Sequence, residues 1–365
     1  MKKVIISGGG TGGHVFPAIA IAMALKEKIP DIDILFVGAK GKIEMEKVPE
    51  AGFKIIGLSI SGFQRKLSMK NLVVVFKLMK ALVKSRMILS SFKPDVVIGV
   101  GGYASGPVLR VAASMGIPTL IQEQNSFPGI TNRLLAKSAS TICVAYEGLE
   151  KFFPKEKIVL TGNPVRDTIL NSKSNRDAAF MHFGIDNTKK IILVLGGSGG
   201  AKQINESITC SLKRIALNRN VQVIWQTGRA YFDYANIYLS KFGAINVFPF
   251  EFISRMDLAY LAADVIISRA GAMTISELCI VGKPAILVPS PNVTEDHQTK
   301  NAMSLVDKSA AFLISDTDAK EKVIGLALEL LANDEISVRL RENILKMGIR
   351  DAASRIANEA IKLFK

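Results

Sequence analysis

The chain has 365 residues, 48% of them apolar, and carries 47 lysines and arginines against 32 aspartates and glutamates, a formal charge of +15. That length exceeds what a single core usually serves, and the apolar content excludes a disordered or fibrous chain, so two globular domains are expected. No window reaches the roughly 20 uncharged apolar residues needed to span a bilayer. Cys143, Cys210 and Cys279 are far apart and lack metal-ligand spacing, as suits small core residues in a reduced, cytosolic protein.

The elements alternate. Val4-Ile5-Ile6 reads as a strand rather than a signal peptide, because the apolar stretch ends at glycines after three residues. It feeds Gly8-Gly9-Gly10-Thr11-Gly12-Gly13-His14 and a helix to residue 28. A strand at 32–37, an αβ layer over 43–60, a basic helix at about 70–92 and a strand at 95–99 follow. Then come helix 106–115, strand 117–121, helix 129–138, strand 140–144 and a short strand at 157–160. The turn Thr161-Gly162-Asn163-Pro164-Val165-Arg166 marks the best domain boundary, and the polar stretch 171–176 reads as a link. Strands at 191–195, 221–225, 245–248, 264–268 and 284–288 then alternate with helices at 201–217, 229–241, 255–262, 274–281 and 297–307. The tail after Asp318 is helical, and its last segment, 350–364, is placed to return to the first domain. Such alternation implies parallel sheets.

The glycine turn at Gly8 has a counterpart, Gly196-Gly197-Ser198-Gly199-Gly200-Ala201, after the strand Ile191-Ile192-Leu193-Val194-Leu195. Strand, glycine turn and helix is the opening of a nucleotide-binding αβ unit, where absent side chains let backbone N–H groups approach an anion. Close strand-helix packing explains such a turn equally well, so other groups must decide. His14, one of three histidines, stands at the first turn of its helix, where it serves either as a cap or as a general base. Gly99-Val100-Gly101-Gly102-Tyr103 and Gln122-Glu123-Gln124-Asn125 follow strands in the same half and reach the same edge. In the second half, Ser268 to Glu277 joins a strand to a helix; its amides suit phosphate, and Glu277 suits either a ribose diol or the helix dipole. Gln298 begins another helix at that edge.

Charge narrows the partner. Arg65, Lys66, Lys70, Lys77, Lys80, Lys84, Arg86 and Lys93 lie in a stretch without an acid. Lys70, Lys77 and Lys84, with Lys80 nearby, share one stripe of a helix that is otherwise largely apolar. That pattern fits a core helix with a solvated stripe, and it fits a helix resting on an anionic bilayer. Nucleic acid is disfavoured: Trp225 is the only tryptophan and no recognition motif stands out.

Taken together and in order, residues 8–18, Gly101-Gly102-Tyr103, Glu123-Gln124-Asn125, 161–166, 196–201, 269–277 and 296–302 resemble the MurG family, bacterial transferases that make lipid II from lipid I. The resemblance implies an α/β GT-B fold: two Rossmann-like domains with parallel sheets facing a central cleft. Residues 1–163 would form the acceptor and membrane-facing domain, 164–345 the donor domain, and 346–365 would pack back on the first. The implied reaction is an inverting transfer of N-acetylglucosamine from UDP-GlcNAc to the 4-hydroxyl of the N-acetylmuramic acid of lipid I, with no obligatory metal or cofactor.

By resemblance His14 is the candidate base, and Tyr103 and Glu123 belong to the acceptor side. Thr11, Gly12, Gly13 and Asn125 would reach the donor sugar or acceptor, and Ser198 and Arg166 the diphosphate. Ile253 would contact uracil, Ala272, Met273, Thr274, Ile275, Ser276 and Glu277 the phosphate and ribose, and Gln298 the donor sugar. Family members often have His-Glu-Gln-Asn where this chain has Gln122-Glu123-Gln124-Asn125, so a proton-transfer role for that histidine does not carry over. A lipid-linked acceptor places the protein peripherally on the cytoplasmic face of the plasma membrane. Lys77, Lys80 and Lys84 would meet the anionic surface, and other cell-wall proteins are candidate partners. A UDP-GlcNAc epimerase, the nearest rival, would lack the Tyr103 loop and the basic helix.

Overall fold

The computed structural model describes residues 1–60, 70–197 and 199–364. Tertiary contacts divide the chain into two units, Met1–Arg166 with Ile349–Lys365, and Asp167–Gly348. Each boundary falls three residues beyond the expected one.

The first unit runs β1 (Lys3–Ser7), α1 (Gly12–Lys28), β2 (Asp33–Ala39), α2 (Glu44–Glu50), β3 (Lys54–Leu58), α3 (Lys70–Phe92), β4 (Val96–Gly99), α4 (Ser105–Ser114), β5 (Thr119–Glu123), α5 (Ile130–Leu135), β6 (Thr141–Val144) and β7 (Ile158–Leu160). Its sheet is ordered β3-β2-β1-β4-β5-β6-β7, all pairs parallel, with Ile6 opposite Phe36 on one side and Ile98 on the other. Strands covered on both faces need no polar alternation, which is why β1 is apolar throughout. The two-residue period still sorts its side chains. Val4 and Ile6 enter a core with Val15, Ile21 and Leu25 of α1, whereas Ile5 enters the opposite core with Ala81 and Leu89 of α3 and Leu109 of α4.

The second unit runs α6 (Asp167–Leu170), α7 (Arg176–Phe183), β8 (Lys190–Leu195), α8 (Lys202–Leu217), β9 (Val221–Gln226), α9 (Arg229–Phe242), β10 (Val247–Phe250), α10 (Met256–Ala262), β11 (Val265–Ser268), α11 (Ala272–Val281), β12 (Ala285–Leu287), α12 (His297–Val306), β13 (Phe312–Leu313), α13 (Ala319–Ala332) and α14 (Asp334–Leu345). Its parallel sheet is ordered β10-β9-β8-β11-β12-β13. The polar link expected at 171–176 instead ends in a helix cap. The Asn175 side chain accepts the Ala178 N–H at 2.9 Å, and Gly184 closes α7 in the left-handed region, so Phe180 and Phe183 are buried. The chain then enters α15 (Ala352–Lys362), which returns to the first unit and places Ile356, Ala357 and Ala360 against α1.

In both sheets the strand order reverses direction at one place, between β1 and β4 and between β8 and β11. Crossovers diverge there and leave a crevice beyond the carboxyl ends of the strands, where open αβ sheets bind ligands. Both glycine turns lie at these points.

Candidate active site

At the first reversal the turn after β1 is packed backbone against backbone with the loop after β4. The Gly9 N–H donates to the Gly101 carbonyl at 3.3 Å, and any side chain at Gly102 would collide with the Gly9 carbonyl. His14 is half-buried in the first turn of α1, and its Nδ1 lies 3.3 Å from Thr11 Oγ1. Its ring rests over Gly101: a Cβ there would stand 2.9 Å from both Cδ2 and Nε2. Gly12 and Gly13 supply the opening amides of α1, and Tyr103 is exposed on the neighbouring loop.

Glu123, at the end of β5, is buried and engaged by four N–H groups. One oxygen accepts the Asn125 backbone N–H at 3.0 Å and its side-chain amide at 3.2 Å; the other accepts Gly129 N–H at 3.1 Å and Asn132 Nδ2 at 2.8 Å. Burial pushes its carboxyl above the usual carboxylate range, with these donors pulling the other way. Glu123 thus shapes the loop that presents Asn125. Gln122, standing where a histidine was expected, joins a buried amide chain: its Nε2 donates to Asn163 Oδ1 at 2.9 Å, and its Oε1 accepts from Gln124. Gln124 also donates to the Val100 carbonyl at 2.8 Å, and Asn163 Nδ2 to the Gln124 carbonyl at 2.9 Å. Arg166 closes the first segment of this unit.

In the second unit the glycine turn leans on the loop after β9. A Cβ on Gly200, whose φ is +76°, would stand 2.7 Å from the Thr227 carbonyl, and one on Gly228 would strike the Gly200 amide. Behind them Trp225 Nε1 donates to Asn205 Oδ1 at 3.0 Å, and Asn205 Nδ2 donates to the Thr227 carbonyl at 2.9 Å. Ser198 lies outside the described residues.

The Ile253 side chain is only 3% exposed, and its backbone N–H donates to Gln226 Oε1 at 3.0 Å. Ile275 is buried as well, and its N–H is held by the Gly271 carbonyl at 2.9 Å. Ala272, Met273, Thr274 and Ser276 are partly exposed in the first turns of α11. Glu277 is buried and accepts the Tyr260 hydroxyl at 2.8 Å, a partner that sequence reasoning missed. Arg269 donates to the Val288 and Pro289 carbonyls at 3.0 and 3.1 Å and to Asp316 at 2.5 Å, so it braces the loop after β12. Gln298 Oε1 accepts the Ser290 N–H of that loop at 2.8 Å.

The basic helix departs from expectation. On α3, Val74, Ala81, Ile88 and Leu89 are buried, but Phe76, Met79, Val83 and Met87 are 57–67% exposed, so the apolar circumference is not all core. Lys80 is exposed with Nζ 4.5 Å over the Phe76 ring, and Lys77 is half-buried. Lys84 donates to the Gly57 carbonyl and is tied to the unit itself. Of the expected contact region, 62–92, residues 62–69 lie outside the described residues. Among the described residues, no helix is long and apolar enough to cross a membrane.

Two Rossmann-like units, each with a glycine turn at its strand-order reversal, give the GT-B architecture, and the family matches make it that of a glycosyltransferase. Residues 4–144 match the glycosyltransferase family 28 N-terminal domain, and residues 191–356 its C-terminal domain. The N-acetylglucosaminyltransferase of Parabacteroides distasonis that acts on N-acetylmuramyl-(pentapeptide) pyrophosphoryl-undecaprenol is 54% identical over 99% of this chain and 98% of its own length. The Bacteroides fragilis enzyme of the same name is 54% identical over 99% and 95%. The crystal structure of Acinetobacter baumannii MurG has a TM-score of 0.80 at 30% identity, covering 99% of this chain and 100% of that one. A UDP-GlcNAc 2-epimerase from Neisseria meningitidis, 18% identical with a TM-score of 0.69 over 99% and 100% of the two chains, shares the fold. The chain belongs to the MurG family of N-acetylglucosamine transferases.

Proposed function

We propose that this chain transfers N-acetylglucosamine from UDP-GlcNAc to the N-acetylmuramic acid of lipid I, giving lipid II. The identity of 54% over nearly the whole chain to transferases of that name carries the reading. In a single displacement with inversion, the acceptor 4-hydroxyl oxygen bonds to the anomeric carbon as the bond from that carbon to the UDP oxygen breaks. The hydroxyl proton must go to a base, and the diphosphate must meet positive potential.

His14 is the base in this reading. In the tautomer that carries its proton on Nδ1, that N–H donates to Thr11 Oγ1 and Nε2 is the basic nitrogen. The opening amides of α1, Asn125 and the exposed Tyr103 belong with the acceptor. The glycine turn around Ser198 and the first amides of α11, on the second unit, suit the departing diphosphate, and Arg166, the last residue before that unit, assists. Glu277 suits the ribose diol, the Ile253 backbone the uracil, and Gln298 the donor sugar. Each of the last three already holds an internal partner, so donor binding exchanges hydrogen bonds rather than creating them.

The acceptor carries an undecaprenyl chain, which favours a peripheral position on the cytoplasmic face of the plasma membrane. The exposed Phe76, Met79, Val83 and Met87 with Lys77 and Lys80 form the surface suited to anionic lipid. Other cell-wall proteins would be met there. The reading is tested by UDP release from UDP-GlcNAc with and without a short-chain lipid I analogue. Acceptor-dependent release that falls about 10²- to 10⁴-fold in His14→Ala supports it. Release without acceptor would point to an epimerase or hydrolase instead.

A further inference from the structure

Beneath the first glycine turn lies a carboxylate that the transfer reaction does not use directly. Glu44, the first residue of α2, is 1% exposed. Its Oε2 accepts the Gly10 N–H and its Oε1 the Ala39 N–H, each at 2.9 Å. The backbone closes around it: a Cβ on Gly9 would overlap the carboxyl group, and one on Gly38 would stand 2.5 Å from Cγ. Burying a carboxylate is costly unless donors converge on it, so this seat is built for a negative charge.

The location gives the charge a use. In nucleotide-binding turns such an amide takes a phosphate oxygen. Here the Gly10 amide already holds an anion that belongs to the protein. Glu44 braces the turn from one side, while the Gly101 carbonyl accepts Gly9 N–H and Gly102 packs on the Gly9 carbonyl from the other. Two residues after Gly10 the chain enters α1, and His14 stands in its first turn with its ring over Gly101.

We propose that Glu44 is a positioning residue: its carboxylate fills the anion seat of the first glycine turn and holds the start of α1, and therefore His14, in register with the Gly101 loop. The inference rests on the reading of His14 as base. The seat is filled before any substrate arrives, so no reorganisation of Gly10 is left for the reaction step.

Glu44→Ala should leave a carboxylate-sized space lined by two N–H donors, which formate can refill. Expected is a kcat lowered at least about tenfold, with the KM for UDP-GlcNAc changed by less than about twofold, because Ile253, Glu277, Gln298 and the diphosphate amides lie on the other unit. Formate should restore kcat saturably in the variant and leave the wild type unchanged. Independently of turnover, formate should raise the thermal midpoint of Glu44→Ala but not of the wild type. A folded Glu44→Ala with kcat within about twofold of wild type overturns the proposal, as does a lowered kcat with both readouts indifferent to formate. Should Glu44→Ala not fold, Glu44→Gln decides: its amide fills the seat but turns an N–H toward one of the two donors. A lowered kcat without formate rescue supports the proposal, and an unchanged kcat overturns it. If the wild type shows no transfer, the functional reading has failed, and the thermal measurement still reports whether the seat takes an anion.

Discussion

Lys84 reaches from α3 to donate its ammonium to the carbonyl of Gly57, 3.0 Å away at the end of β3. One lysine of the basic stripe is therefore a brace between α3 and the sheet. Lys84→Ala should destabilise the protein by about 1–2 kcal/mol and leave binding to anionic vesicles nearly unchanged. Lys80→Gln should instead weaken co-sedimentation with such vesicles by about fivefold, the worth of one positive charge near the surface, and Phe76→Ser should weaken it through lost apolar contact, both with little change in the thermal midpoint. Equal vesicle binding by all three variants would assign the membrane surface elsewhere.

Gly101 has φ +91°, and a Cβ there would meet the His14 ring at 2.9 Å. Gly101→Ala should displace the imidazole and lower kcat roughly 10²-fold, with the KM for UDP-GlcNAc little affected. The measurement is steady-state kinetics alongside the two-dimensional NMR signals of the three histidines. A shifted His14 resonance with unmoved His182 and His297 is the expected signature.

The strands and glycine turns were legible because parallel strands buried on both faces are short β-branched runs, and glycine marks where they meet a helix. Other parts depended on distance in space. Glu44 is separated by 34 positions from Gly10, and only the adjacency of β1 and β2 brings them together. The 171–176 stretch read as a link because its polar residues carry no period; the apolar pair that makes α7 a core element, Phe180 and Phe183, comes after it. Tyr260 and Glu277 meet only because α10 and α11 belong to one packed unit. The burial of Ile253 and Ile275 likewise depends on packing, which the sequence did not reveal.

Lys283 is half-buried, and desolvation, with Arg176 and Arg341 nearby and Asp264 opposing, lowers its pKa from 10.5 to about 8. Below pH 8 both folded and unfolded chains hold the proton, and the full cost of burying the charge is present. Between about 8 and 10.5 the unfolded chain holds it more tightly, so this group's contribution to stability improves as pH rises. Lys283→Met should therefore raise the thermal midpoint at neutral pH, by about 3 °C or more. The advantage over wild type should shrink across that window in calorimetry at both ends.

Cys143 and Cys279 are buried, and burial raises both thiol pKa values, that of Cys279 to about 12. Cys210 is exposed, contrary to the expectation of three core cysteines, because α8 turns Ile204, Ile208, Leu212 and Ile215 inward and Cys210 outward. A thiol reagent should modify Cys210 rapidly in the native protein and the other two only on unfolding. Mass mapping of the labelled peptides checks the assignment.

The placement of α15 on α1 also sets an order of assembly during translation. Residues 167–348 form one continuous unit, complete as soon as its last helix leaves the ribosome. The first unit emerges earlier but lacks Ile356, Ala357 and Ala360, which cover the face of α1, until the final helix follows. A nascent chain stalled before residue 349 would thus carry an open apolar seam on its earliest-made part. The unit that holds His14 is completed last, although its synthesis starts first.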